Sequence, residues 1–389
     1  MPWNNTCPMN ERQKFIRDWL TRNATVLGLC EEYGISRKTG YKWIIRFRRE
    51  GDRGLNDKSR KPRSHPWTTD SRIEQEILRF RAMHPFWGPR KISSRLGKLN
   101  PAVEWPAAST IGSILKRHGI IVPRRRRVRT PAFVGALSGG YAPNDVWAAD
   151  FKGWFRTRDG SRIDPFTLSD ISSRYLLRCH GVSKTNWSNI QAQLTVAFQE
   201  FGLPRRFRTD NGPPFASCGL CGLSRLAVWL IKLGVTPERI RPGHPEENGV
   251  HERMHRTLKQ ATAKPPKGTS DEQQDAFDAF RIEYNEQRPH EALGMRTPSE
   301  LYASSPRSFP KELPRVEYQS GMLVRKISET GQFNWKDRPI FVSRALMFER
   351  VGLRETDNGI WDLYFKDMKL GQIDLKKKGG PTAVTPVPG

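Results

Sequence analysis

Apolar positions recur at helical spacing in three short stretches near the start of the chain, 12–20, 25–33 and Arg37–Glu50, which predicts three helices. Ser36 is placed to cap the third and Gly34 to make the turn before it. Trp43, Ile44 and Phe47 fall on one stripe of that helix, leaving Arg37, Lys38, Lys42, Arg46 and Arg49 on the outside. A helix-turn-helix whose last helix enters a major groove has this layout, and so does a small bundle with a basic, solvated face. A second set follows. Ser71–Met83 is helical, 89–96 opens with a proline suited to a first turn, and 109–118 is capped by Ser109 and ended by Gly119.

The pattern then changes. Segments 147–155, 163–170 and 175–182 read as successive strands, Trp187–Phe201 as an amphipathic helix, and 205–209 as a short strand ending at Asp210. Helices are predicted over 223–233, 248–262 and 271–285. Strands first, then helices on a mixed sheet, indicate an α/β core. Toward the end, strand patterns at 324–327, 340–342, 351–353, 361–365 and 370–375 stand between turn signals and suggest a small β-barrel. The tail after 378 is rich in Pro and Gly and is expected to be disordered. The multidomain plan is a helix-turn-helix domain at 1–66, a second helical domain (winged or helix-turn-helix) at 67–122, a basic linker at 123–140, a core at 141–308, a barrel at 309–378 and a tail at 379–389.

Charge sharpens this picture. The 389 residues hold 66 Lys and Arg against 40 Asp and Glu, a net charge of +26. Residues 1–130 carry 29 basic and 11 acidic side chains, so a net +18 sits in the first third. Such a balance points to a polyanion partner, anchored through the front of the chain. The run Arg124, Arg125, Arg126, Arg127 and Arg129 reads as a basic arm that gains affinity along phosphates by counterion release. Five cysteines form no framework, no apolar run approaches a membrane span, and the N-terminus has no secretory pattern. A cytoplasmic, nucleoid-associated protein with no membrane partner is expected.

Three acids stand where chemistry could use them. Asp150 is in the first core strand, Asp210 follows the fourth, and Glu252 lies in the first turns of a helix. Carboxylates that converge repel unless a cation lies between them, and hard oxygen ligands select Mg²⁺ or Mn²⁺. Two such ions per site would activate an attacking oxygen and stabilise a leaving one. Singly each acid is weak; an Asp before Asn-Gly is most often a turn residue.

Their contexts are more specific. Thr209-Asp210-Asn211-Gly212, the run from Asn248 through Glu252-Arg253 to Lys259, Tyr284-Asn285-Glu286-Gln287-Arg288-Pro289-His290, and Thr297-Pro298 together resemble the catalytic core of bacterial insertion-sequence transposases of the retroviral-integrase superfamily. The resemblance implies an RNase H-like fold, with Asp150, Asp210 and Glu252 as catalytic metal ligands. It also implies cleavage and strand transfer at the inverted repeats of a mobile element. The partners it implies are double-stranded DNA, both element ends and target, and further copies of the chain in a dimer or higher oligomer. By the same resemblance Lys259 contacts the DNA end, with Arg256 a turn away, and 241–245 is an active-site loop. Tyr284, Asn285, Arg288 and Pro289 are expected to serve packing, and Asp164 and Asp170 to be surface or structural acids.

Two departures stand out. Forty-one residues separate Asp210 from Glu252, more than the family's customary interval, which Glu246 would match. His251 stands where the family has an apolar residue. Cys218 and Cys221 form a lone pair of thiols that would need two more ligands to bind zinc, with Cys179 and His180 as the only suggestions. A regulator descended from a transposase and no longer cutting is the alternative reading, and the presence of all three carboxylates argues against it. A structural nucleoid protein would need basic residues throughout.

Overall fold

The computed structural model describes residues 8–21, 24–59, 69–121, 139–210, 212, 215, 223–241, 249–335, 338–376 and 384–386. The basic arm at Arg124–Arg127 and Arg129, the Cys218 and Cys221 pair, Glu246 and most of the 241–245 loop lie outside these residues. Two compact units divide the chain at Thr69 and Asp70. No helix among the described residues is long and apolar enough to cross a membrane.

The first unit contains α1 (Pro8–Thr21), α2 (Val26–Glu32) and α3 (Arg37–Glu50). The hydroxyls of Thr25 and Ser36 accept from Gly28 N and Thr39 N, starting α2 and α3 where the sequence places caps. Gly34 adopts φ +61°, the left-handed turn that glycine takes without strain. Phe15, Ile16, Leu29, Trp43, Ile44 and Leu55 form the core. Arg37, Lys38, Lys42 and Arg49 are exposed. Arg46 departs from the expected outward position. It is half-buried, its guanidinium 5.1 Å from the Trp43 ring centroid.

In the second unit α4 (Ser71–Met83), α5 (Pro89–Leu99) and α6 (Ala108–Arg117) enclose Ile77, Phe80, Trp87, Ile92, Leu96 and Ile111. Helix α6 begins one residue before Ser109, so Ala107 occupies the cap position and Ser109 is helical. The three helices are tied to later segments by Trp87 Nε1, which donates to Glu283 at 2.9 Å, and by Lys98 with Glu300 at 2.7 Å.

A mixed sheet follows: β1 (Val146–Phe151), β2 (Phe155–Arg156), β3 (Arg162–Asp170), β4 (Leu176–Val182), β5 (Arg206–Thr209) and β6 (Thr236–Arg239). Its main order is β4-β3-β1-β5-β6, with β2 also on β3. The two pairings among β1, β3 and β4 are antiparallel, and β5 and β6 run parallel to β1. Helices α7 (Trp187–Phe201) and α8 (Arg225–Lys232) pack on the Trp147, Ala149 and Phe207 face. On the other face Ile163, Leu176 and Cys179 meet α9 (Gly249–Thr262) and α10 (Ser270–Ile282) through Met254, Leu258, Phe277 and Phe280. This is the RNase H-like layout.

The C-terminal segment differs from a closed barrel. Strands β7 (Leu323–Lys326), β10 (Arg350–Asp357), β11 (Ile360–Phe365), β12 (Met368–Asp374) and β13 (Thr385–Pro386) form an open sheet, with β13 and β7 at its edges. Strands β8 (Gln332–Trp335) and β9 (Arg338–Phe341) form a separate hairpin. Of the tail, the described residues 384–386 are ordered against the sheet: Val384 is buried and Thr385 pairs with Gln372. Helix α8 serves both cores, giving Leu226, Trp229 and Leu230 to the mixed sheet and Ala227, Val228 and Ile231 to the C-terminal sheet.

Candidate active site

Asp150 and Asp210 come together through strand register. Parallel strands β1 and β5 pair Trp147 with Phe207 and Ala148 with Arg208, so register carries Asp150, still within β1, and Asp210, just after β5, to the carboxyl end of that pairing. Trp147 and Ala149 point to α7, so alternation turns Asp150 to the α9 side. The Asp210 turn is tight: Gly212 N donates to Asp210 Oδ1 at 3.1 Å, and a Cβ at Gly212 would come within 3.1 Å of Oδ2. Glu252 is exposed in the first turn of α9.

The Asp150 carboxyl senses the other two acids. Burial above all, then the negative charge of Asp210 and to a lesser degree that of Glu252, push the Asp150 carboxyl up to about 7, against a hydrogen bond from the Phe151 backbone and the charge of Lys152. No three His, Cys, Asp or Glu side chains among the described residues close around one point as a metal cage. The donor set is nonetheless suited to a hard divalent cation, because a carboxyl pushed toward neutrality by burial and by neighbouring negative charge is short of positive charge.

His255 and Lys152 are the neighbours that sequence reading missed. His255 Nδ1 lies 3.7 Å from Asp150 Oδ2, and its Nε2 is 2.7 Å from Thr167 Oγ1. His251 Nε2 meets the same hydroxyl at 2.9 Å, while its Nδ1 is 3.2 Å from Ser169 Oγ. Thr167 has one proton, and it goes to the Asp150 carbonyl at 3.0 Å. Both imidazoles must therefore donate from Nε2, which leaves the Nδ1 lone pair of His255 toward the Asp150 carboxyl. Burial holds both rings neutral, His251 down to about 4 and His255 to about 2. The histidine in the family's apolar position is thus a core residue satisfied by two hydroxyls. Outside this network a groove of about 470 Å³ is lined by Lys152, Glu252, His255, Arg256, Lys259 and Lys264. Cations beside a carboxylate site suit a phosphodiester approaching a metal centre.

The comparisons with known proteins fit this arrangement. The integrase core domain matches residues 140–245 and again 233–298. A helix-turn-helix domain matches 11–63, a homeodomain-like domain 39–115, and the C-terminal domain of IS481 family transposases 322–381. An uncharacterized 31.7 kDa protein of insertion element IS407 from Burkholderia multivorans is 32% identical over 209 residues, 49% of this chain and 67% of that protein. The chain belongs to the bacterial insertion-sequence transposases of the integrase superfamily. An IS476 protein of Xanthomonas euvesicatoria is 26% identical over 246 residues, covering 61% of this chain and 67% of its own. The HTLV-2 integrase catalytic core, solved with magnesium, is 17% identical, covering 42% of this chain and all of that one, with a TM-score of 0.34. The protein is a DDE-type transposase that binds DNA and mediates transposition.

The remaining signature residues of the transposase divide by role. Asp170 is fully buried and accepts from Asn144 N, Ser173 N and Ser173 Oγ, fixing the β3–β4 turn. Asp164 is buried too. Asn285 bridges β4, its Oδ1 accepting from Leu176 N at 2.8 Å and its Nδ2 donating to Leu176 O at 3.0 Å. Asn285→Ala is therefore expected to strand two buried backbone groups, lowering stability by about 2–4 kcal/mol. Chemical denaturation checks this, and an unchanged midpoint would remove the bridge's importance.

Proposed function

We propose that this transposase binds two divalent cations, Mg²⁺ or Mn²⁺, through Asp150, Asp210 and Glu252, and cuts and joins the terminal inverted repeats of its own element. The observation that carries the reading is the Asp150 carboxyl, raised by burial and by the charges of the other two acids. When bound, the ions supply an activated nucleophilic oxygen and charge neutralisation at the leaving oxygen. The chain's own contribution is placement. Strands β1 and β5 fix two carboxylates, α9 presents the third, and the Thr167 hydroxyl holds His251 and His255 behind them. Lys152, Arg256 and Lys259 border the groove through which a phosphodiester would pass.

Recognition is assigned to the helical modules, in the domain division given above. Arg37, Lys38, Lys42 and Arg46 on α3 approach the major groove, and Arg124–Arg127 with Arg129 follow the backbone without reading bases. Pairing two element ends calls for at least two copies of the chain, and the C-terminal sheets are assigned to contacts with DNA or the second copy. A strand-transfer assay with Mg²⁺ and the DNA flanking the gene tests the reading. Joined products that need Mg²⁺ are expected; tight binding of the ends without any cleavage would leave a DNA-binding regulator instead.

A further inference from the structure

A second cationic site lies on the other side of α9. Val250, Arg253, Met254 and Thr257 line it from that helix, one turn apart, while Glu252, His255, Arg256 and Lys259 face the active-site groove. The cavity measures about 340 Å³ and is closed by Lys91 of α5, Arg174 of the β3–β4 turn, and Tyr284, Arg288 and His290. We propose that this cavity is a phosphate site that holds one phosphodiester of the DNA strand crossing α9. The inference rests on the chain's DNA binding and not on its catalytic reading.

Three features point to an anion. First, four cations converge here, and none of Lys91, Arg174, Arg253 and Arg288 has an ion-pair partner among the described residues. The nearby acids make their contacts elsewhere and act on Lys91 and Arg288 only through space: Glu283 receives Trp87 Nε1 at 2.9 Å, with His84 Nδ1 at 3.4 Å, and Glu291, on the cavity wall, lies 3.6 Å from Arg90. Second, the Nε of Arg174 is buried with no hydrogen-bond partner. An unpaired buried donor of a charged group is costly, and a phosphate oxygen would satisfy it. Third, Arg174 is held at φ +61°, an uncommon conformation for a side chain of its size, in the turn that buried Asp170 fixes. The fold thus spends backbone strain to aim a guanidinium into a cavity already crowded with positive charge. Burial and the Arg288 charge lower the Lys91 ammonium to about 8, and burial with the Lys91 charge lowers His290 to about 3. The negative charge of a bound phosphate would oppose both shifts.

The distance to the chemistry is short. A helix with its side chains is about 10–12 Å across, so a strand seated here is one or two nucleotides from the Glu252 side. This would also give Arg253, Arg288 and His290 of the signature segments a shared role that their separation in sequence hides.

The test uses the full chain, without divalent ions so that catalysis plays no part. Thermal melting is followed against inorganic phosphate at constant ionic strength, and binding of a linear duplex against salt. The variants are Arg253→Gln, exposed and safe for folding, and Arg174→Gln with Arg288→Gln. The parent's Tm should rise with phosphate and the variants' should not. The log–log salt slope of duplex binding should fall by about 1 in each variant, one phosphate's share of counterion release. If the double variant does not fold, Arg253→Gln decides alone. A folded variant with the parent's salt slope overturns the proposal, and so does a phosphate response without any change on the duplex, which would mark a free-anion site.

Discussion

Glu252→Gln is expected to lower strand cleavage by about 10³-fold or more while DNA binding stays at the parent's level. The amide keeps the size and much of the hydrogen-bonding capacity but removes one of three negative charges proposed to hold the cations. Losing about 4 kcal/mol of transition-state stabilisation, an ordinary share of what metal ligation contributes, amounts to about that factor. The rival is Glu246, which thirty-five intervening residues place at the family's customary distance from Asp210. Two observations favour Glu252. It lies within the first turn of α9, and its charge contributes to raising the Asp150 carboxyl. A helix holds a ligand within the fraction of an ångström that two-cation chemistry needs. Glu246→Gln should therefore cost only a few-fold. Both variants go into one Mg²⁺-dependent cleavage assay beside a gel-shift control. An active Glu252→Gln with a dead Glu246→Gln would reverse the assignment.

Much of the fold was legible because its helices carry their own signals. Helix α3 has the predicted bounds Arg37–Glu50, with Ser36 capping it, and α7 spans Trp187–Phe201 as its apolar spacing requires. The strands that escaped notice lack such signals. Strand β6 is Thr236-Pro237-Glu238-Arg239, polar and interrupted by proline, which the sheet tolerates because β6 is an edge. The Thr385–Pro386 pairing sits in a segment whose composition reads as disorder, and burial of Val384 against the C-terminal core overrides it. An open sheet and a hairpin produce the same run of short strands as a barrel, since closure depends on which edges meet and not on the alternation within each strand.

The candidate site was legible in part for a similar reason. Acids at strand ends and in a helix's first turn can be read along the chain. His255 could not be, because its relation to Asp150 runs through Thr167, which reaches the site from β3. His251 looked anomalous for want of its partners, Thr167 and Ser169, two positions apart on one face of that strand. Arg288 in turn reads as a packing residue until Lys91, Arg174 and Arg253 are brought around the same cavity from three other segments.

Asp150 is the residue whose removal should separate activity from stability most sharply. Its carboxyl is raised to about 7 in the folded chain, well above the range of an unfolded aspartate. Between about pH 4 and 7 the folded state therefore binds more protons than the unfolded one, and stability falls as pH rises through that window. The contribution is fully present below the unfolded value and lost by the time pH passes the folded one. Three pKa units correspond to about 4 kcal/mol as an upper bound, so a loss of about 2–4 kcal/mol is expected between pH 4 and pH 8 in metal-free protein. Other groups titrate in the same range, so the difference between parent and Asp150→Asn isolates this one. The variant, which cannot ionise here, should be more stable than the parent at pH 8 and closer to it at pH 4.5, yet inactive. Mg²⁺ or Mn²⁺ binds the ionised carboxylates, so either ion should raise the parent's Tm more at pH 8 than at pH 5.5 and leave the variant nearly unmoved. Thermal melts over pH, with and without the ion, decide the matter. A variant less stable than the parent at pH 8, or one whose Tm follows the ion as the parent's does, would show that Asp150 carries neither the charge burden nor the cation.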